Sequence, residues 1–416
     1  MDLAPAEQGV PTPWPVEGVC RIPYRAFFDP AIYAQEQERI FRGHAWNYVG
    51  LEAEVPKAGD FKTTFVGDTP IVITRNKEGG LHAFVNRCAH RGAIVCREPR
   101  GNRLRHQCVY HQWTYDLQGN LVGVPFRTGI EGKGGYPPDF QPSEHSLRKL
   151  RVSTYGGLIF ASFADTIEPL ETYLGPDMRQ WLDRIFNRPL QVLGYARQYI
   201  HANWKLYAEN TRDPYHASLL HLFHTTFGIY RSSMGGGVIM DNSKRHDMLR
   251  AYKRPEPQET AAYRGKDIRT FQEQYTLADP SLLTTRKEFE VELTNHIQAI
   301  FPNLVVQQIQ NTLATRHILP KKPDEFELLF TFFGYEDDDA ELRAIRIKQA
   351  NLVGPAGYIS MEDGHATELV QQAIVRDQEA TSFIEFGGRG IESEENLLTE
   401  SGIRGFWKYY REVMHL

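Results

Sequence analysis

Cysteine is scarce: there are four in 416 residues, Cys20, Cys88, Cys96 and Cys108. That excludes a disulfide-framed fold. Long apolar runs are missing as well, and no stretch approaches the roughly 18 residues that a membrane-spanning helix needs. There is no surplus of positive charge. Lys and Arg number 47 against 52 Asp and Glu, a net charge of −5, which argues against broad nucleic-acid binding. The first residues hold no basic segment followed by an apolar one, so no secretory signal is read and the cytoplasm is the expected location. No internal repeat is visible. What remains is 41% hydrophobic and 24% charged, the texture of a globular protein, with length for two or three domains.

The texture changes along the chain. Residues 1–20 are rich in proline and small side chains and read as an extended arm. A helix is expected over 28–44, with Asp29 and Pro30 at its start. From about 45 to 165, β-branched and aromatic runs alternate with Gly, Asn and Asp turns. Residues 70–74, 81–86 and 157–163 read as strands of a small all-β domain, with 128–142 as a long loop. From 166 to 416 the pattern is mixed. Helices are expected at 170–184, 341–352, 367–384 and 402–414, and strands at 191–200, 300–319 and 325–335. Residues 228–285 read as loop-rich. Strands followed by helices give an α+β fold rather than a doubly wound one. The domain expectation is an arm and helix over 1–44 packing on the last domain, a β domain over 45–165 and a catalytic domain over 166–416.

Three of the four cysteines fall in the β domain, among histidines. Cys88-Ala-His90 is followed after 17 residues by Cys108-Val-Tyr-His111. Two thiolates and two imidazoles suit tetrahedral zinc, or a [2Fe-2S] cluster with cysteines on one iron and histidines on the other. Zinc fingers usually pair Cys with Cys and His with His. Here each loop carries one of each, as a two-iron cluster needs if each loop is to reach both irons. Cys96 belongs to neither pair and reads as a packed thiol.

A second constellation lies at 203–223: Asn210, Asp213, His216 and His221. Two histidines with one carboxylate form the facial triad of non-haem Fe(II) oxygenases, which leaves positions open for O2 and substrate. His216 and His221 are five apart, an offset of roughly 140° on a regular helix. Both can face one ion only if a distorted turn or π-bulge lies between them. Asp213, three residues before His216, can orient that ring. The third ligand must come from elsewhere, with Asp363 the first choice and Glu362 its rival.

Together these residues resemble the large (α) subunit of a Rieske non-haem iron aromatic-ring-hydroxylating oxygenase. The resemblance spans nearly the whole chain. Cys88, His90, Cys108 and His111 match the family's cluster pattern. Asp213, His216 and His221 match its catalytic pattern, and Asp363 its later aspartate after a Gly-Pro-Ala-Gly turn. The resemblance implies a Rieske [2Fe-2S] domain followed by a helix-grip catalytic domain, an antiparallel sheet covered by helices around a mononuclear Fe(II). It also implies O2 as co-substrate and a head-to-tail homotrimer, with a small β subunit giving α3β3. Asp213 would then bridge His216 to His111 of the next copy, and Asn210 would lie near the open iron positions. Electrons from NADH would arrive through a ferredoxin or flavin reductase, since no nucleotide-binding domain is evident. The other readings are a non-catalytic Rieske electron-transfer protein and a zinc-binding structural protein.

Residues 305–319, 347–363 and 402–407 resemble most the members acting on aromatic carboxylates. A carboxylate in a semi-buried pocket calls for arginine, whose fork matches it. Arg316, in an expected strand, is the candidate. Gln308 and His224 are further pocket candidates, with Gln310 and Ser360 behind them. A dicarboxylate needs two cations, and only Arg389 stands near the acidic segment 392–399. The expectation is therefore a monocarboxylate such as salicylate or anthranilate, ahead of terephthalate.

Overall fold

The computed structural model describes residues 14–416. The first 13 residues of the expected arm lie outside that range. Trp14 closes on the C-terminal helix, its ring 5.8 Å from that of Trp407. The helix expected at 28–44 is shorter. Asp29 caps Pro30–Glu36 by accepting from the Ala31 N–H at 2.8 Å, and the chain then widens into a π turn, Gln37–Phe41. Glu36 is wholly buried there. It accepts from Trp204 Nε1 at 2.8 Å, from Tyr410 Oη at 2.5 Å and from Lys205 Nζ, which ties the N-terminal helix to the C-terminal domain.

The N-terminal sheet has seven antiparallel strands. Their order is Asn47–Leu51, Leu158–Ser162, Lys149–Tyr155, Leu81–Val85, Thr69–Arg75, Asp60–Val66 and Arg100–Asn102. A smaller sheet of His106–Gln107, Thr114–Tyr115 and Leu121–Gly123 sits beside it. The first strand is joined to the second domain by side chains. Asn303 accepts from the Tyr48 N–H at 2.9 Å and donates to its carbonyl at 3.1 Å.

The C-terminal sheet is also seven-stranded and antiparallel. Its order is Leu190–Ile200, Glu325–Tyr335, Thr312–Lys322, Leu304–Ile309, Asn295–Ile300, Asp247–Tyr252 and Gly235–Met240. Alternation divides its side chains. Val305, Ile309, Ala314, Ile318 and Phe330 face one core with Trp204, Tyr207, Ile359 and Trp407. Leu304, Val306, Leu313 and Phe333 face another with Met178, Trp181 and Leu182 of the helix Leu170–Ile185. Helices therefore cover both faces, the α+β arrangement expected.

Three expectations need correction. The span 300–319 is not one strand; a turn at Phe301–Asn303 and a hairpin through Gln310, at φ 53°, break it. The loop-rich 228–285 contains two strands, Gly235–Met240 and Asp247–Tyr252. Its glycines misled: a Cβ on Gly237 would sit 1.9 Å from the Glu394 carbonyl, because residue 394 pairs with Val238 there. The helix expected at 367–384 is Tyr358–Ile374. The Gly-Pro-Ala-Gly turn leads straight into it, so Glu362 and Asp363 lie inside the helix.

Burying acids sets a pH dependence. Burial pushes the Glu209 carboxyl up to about 8 from an ordinary 4.5, against the Trp407 N–H that donates to it at 2.5 Å. Between those values the folded chain holds a proton that the unfolded chain releases, so stability falls as pH rises through that window. Each unit of elevation is worth about 1.4 kcal/mol. Glu209→Gln is expected to flatten the loss of stability between pH 5 and 8, measured by denaturant unfolding; an unchanged slope would contradict it.

Candidate active site

Two loops of one shape carry the first donor set. The Cys88 carbonyl accepts from Gly92 N–H at 2.9 Å, and its own N–H donates to Ala93 at 2.8 Å. Cys108 repeats this with Gln112 and Trp113, both at 2.9 Å. The donors sort by type. Both thiols are buried, while His90 and His111 lie at the rim with ring centroids 4.5 Å apart. Thiols inside and imidazoles outside suit a cluster with one sulfur-held and one nitrogen-held iron. Among the described residues, the one group of three His, Cys, Asp or Glu side chains placed to hold a single ion lies elsewhere. Tyr115 Oη lies 3.3 Å from Cys88 Sγ and takes the Ala89 N–H at 3.1 Å. His90 stacks on the buried Trp113 at 4.9 Å. Neither contact was legible in the sequence. Cys96 is buried in the same core as the loop cysteines, and burial pushes its thiol up to about 11.

The single-ion group is His216, His221 and Asp363, with one donor atom from each inside a 4.8 Å span. The helix Pro214–Leu220 stops at His221, whose φ of −92° and ψ of 88° are not helical, and a second helix, Leu222–Thr226, begins after it. The distortion required by the five-residue spacing is thus a helix break rather than a π-bulge. Asp363 comes from the helix Tyr358–Ile374, which is fastened to the outermost strand. Ser360 Oγ donates to Gln198 Oε1 at 2.6 Å, and a Cβ on Gly364 would lie 2.3 Å from Gln198 Nε2. Ser360 is spent on this contact and is not a pocket residue.

Both histidines present Nε2 to the same carboxylate oxygen. Asp363 Oδ1 is 3.3 Å from His216 Nε2 and 3.2 Å from His221 Nε2. Behind each ring stands another acid. Glu362 Oε2 is 2.7 Å from His221 Nδ1, so the rival for third ligand is the group that orients His221. Asp213 Oδ2 is 3.3 Å from His216 Nδ1, near enough for an ion pair but off the line of a hydrogen bond. Asp213 also caps the helix, with Oδ1 accepting from the Tyr215 and His216 N–H groups at 2.7 and 3.2 Å. Asn210 Nδ2 lies 3.2 Å from His216 Nε2 and donates to Asp363 Oδ1 at 3.1 Å. Burial disfavours charge on His216, but Asp213 and then Asp363 outweigh it and raise the ring to about 10. Burial also opposes charge on Asp363, yet the two imidazoles hold it well below the carboxylate range. Two nitrogens and one carboxylate, facing one point from a buried wall, fit a divalent iron with open positions.

A cavity of about 60 Å³ opens beside this group, lined by Asn210, His224, Asn295, Ile309, Arg316 and Asp363 among others. Arg316 is 3% exposed. Its Nε donates to Gln307 Oε1 at 2.7 Å, with Nη2 on the same oxygen, and Nη1 donates to Tyr207 Oη at 2.9 Å. No ion pair joins it to a carboxylate among the described residues. His224 lines the cavity too, and burial holds its imidazole well below the usual value.

Gln308 does not reach this cavity. It stands one position out of phase, on the opposite sheet face, where it takes Arg184 Nη1 at 2.7 Å and lines a separate cavity of about 500 Å³ with Gln310. Its neighbour Gln307 is the residue that touches Arg316, a choice strand alternation could have made. Arg389 is 74% exposed and paired with Glu385 at 3.0 Å, so it supplies no second cation.

Comparison with known proteins finds two family matches along the chain. Residues 45–133 match the Rieske [2Fe-2S] domain, and 186–416 match the ring-hydroxylating alpha subunit catalytic domain. The chain is 58% identical to the anthranilate 1,2-dioxygenase large subunit of Burkholderia cepacia, covering 96% of this chain and 95% of that one. It is 47% identical to the terephthalate 1,2-dioxygenase terminal oxygenase subunit alpha 2 of Comamonas sp., covering 95% of both. It is 42% identical to the salicylate 5-hydroxylase large oxygenase component of Ralstonia sp., covering 96% of both. No helix among the described residues is long and apolar enough to cross a membrane. This chain belongs to the Rieske ring-hydroxylating oxygenases: it is a terminal oxygenase large subunit, with a [2Fe-2S] cluster and a mononuclear iron, that uses O2 and electrons supplied by a reductase.

Proposed function

We propose that the enzyme hydroxylates a single-ring aromatic monocarboxylate, with anthranilate the leading substrate, and that Arg316 holds the carboxylate. The observation that carries this reading is the buried guanidinium beside the His216, His221 and Asp363 group, with two neutral oxygens and the Phe330 ring as partners and no carboxylate paired to it among the described residues. A desolvated cation without a counter-ion is costly, and a bound carboxylate relieves that cost through paired charge-assisted hydrogen bonds. Among the described residues Arg316 is the one arginine or lysine lining the cavity, which favours one carboxylate over the two of terephthalate. An apolar cavity that holds benzene measures roughly 150 Å³, so binding even one ring requires the lining to shift. The high identity to an anthranilate dioxygenase supports the same choice over salicylate.

In this reading Cys88 and Cys108 hold one iron of the cluster and His90 and His111 the other. His216, His221 and Asp363 hold the mononuclear iron, which when bound activates O2 for insertion into the ring. Glu362 and Asp213 fix the two rings so that each Nε2 faces inward. Asn210 holds the Asp363 carboxylate. Asp213 remains partly exposed, as a group must be if it bridges His216 to His111 of a neighbouring copy in a head-to-tail trimer. A small β subunit completes the assembly, and a ferredoxin or flavin reductase passes electrons from NADH.

The direct test is a single turnover of reduced, iron-loaded enzyme with O2 and a panel of anthranilate, salicylate, terephthalate and naphthalene, with product identification. Hydroxylated product from anthranilate is expected; product from terephthalate or naphthalene alone would overturn the reading. Arg316→Leu is expected to raise KM for the acid by about 30-fold or more, since truncating one side of a buried charge pair costs on the order of 2–5 kcal/mol. An unchanged KM would place the carboxylate elsewhere.

A further inference from the structure

The cavity has a second polar end. Alternation places Asn295, Ile309 and Arg316 on the same face of the sheet, but the register separates the two polar residues. Asn295 pairs with Ile309, and Arg316 with Val305, four residues further along that strand. Asn295 is 4% exposed, and its carboxamide oxygen has no hydrogen-bond partner. His224, 1% exposed, lines the same cavity, and neither of its ring nitrogens has a partner. Buried polar atoms are rarely left unpaired, because each one so left destabilises the fold. Here two side chains that line one cavity hold such atoms. A carboxamide oxygen accepts, so its missing partner is an N–H or O–H. A second carboxylate offers neither.

We propose that Asn295, with His224 beside it on the cavity wall, recognises an amino group next to the carboxylate of the substrate, and that this contact sets the preference among aromatic acids. The inference rests on the reading that Arg316 holds the carboxylate. Intramolecular bonding explains why nitrogen is favoured over oxygen. In 2-hydroxybenzoate the single O–H donates to the adjacent carboxylate and nothing is left for Asn295. In 2-aminobenzoate one N–H does the same, and the second is free to donate to Asn295 Oδ1.

The test is equilibrium binding to the holoenzyme of 2-aminobenzoate, 2-hydroxybenzoate, 2-fluorobenzoate and benzoate. The amino acid is expected to bind about 10-fold or more tighter than benzoate, equivalent to one hydrogen bond of about 1.4 kcal/mol; 2-fluorobenzoate, with no donor, gains nothing. In Asn295→Leu the ratio of amino to unsubstituted affinity is expected to fall to about one, whereas Arg316→Leu weakens all four together. The ligand series needs no variant, so a folding defect in Asn295→Leu leaves the test intact. Equal binding of amino, fluoro and unsubstituted acids by the wild type overturns this inference and leaves the aromatic-acid reading standing. A preference that survives Asn295→Leu also overturns it. Binding of none of the four overturns both.

Discussion

The structure turns on one carboxylate held between two imidazoles. Asp363 Oδ1 sits within 3.3 Å of both His216 Nε2 and His221 Nε2, and these groups come from helices far apart in the chain. Their meeting depends on how each helix is held. The histidine helix must break at His221, because an unbroken one would turn the two rings apart. The aspartate helix must lie close against the sheet, which Gly364 permits and the Gln198–Ser360 pair secures. Glu362 takes the far nitrogen of His221 at 2.7 Å, and Asp213 stands 3.3 Å from that of His216. A shift of either helix would spread the donors beyond the reach of one ion.

The same packing decides what can approach that ion. The helix carrying Asn210 lies over the sheet face that carries Arg316, and Tyr207 of that helix takes one arm of the guanidinium. The cation is thereby fixed beside the metal group by neutral partners alone. Specificity in such a site comes from buried polar groups that a wrong ligand leaves unpaired, which is why Arg316 and the unpartnered atoms of Asn295 and His224 belong to one account.

Much of this was legible in the sequence, for reasons that differ by residue. Cys88, His90, Cys108 and His111 stand in a spacing that only a few metal sites use, so chemistry alone narrowed them to two candidates. The offset of His216 and His221 required a break in the helix, although the kind of break was set by backbone geometry that spacing does not encode. Gln308 lies outside the cavity for a simple reason: one residue of strand phase moves a side chain to the other face of the sheet. The strand at Gly235–Met240 was hidden because its glycines serve close approach to residue 394 rather than a turn. Asn295 left no sequence signal at all; its significance is the absence of a partner, which appears only when the fold has buried it.

The most direct test of the account is the iron content of Asp363→Ala beside the wild type, read together with the electron paramagnetic resonance of the reduced cluster. Wild type is expected to hold about three irons per chain, two in the cluster and one at the histidine pair. The variant is expected to hold about two, with the cluster signal unchanged. Retention of the third iron would show that Asp363 does not hold the mononuclear site. Loss of the cluster signal as well would show that the two sites are not independently built.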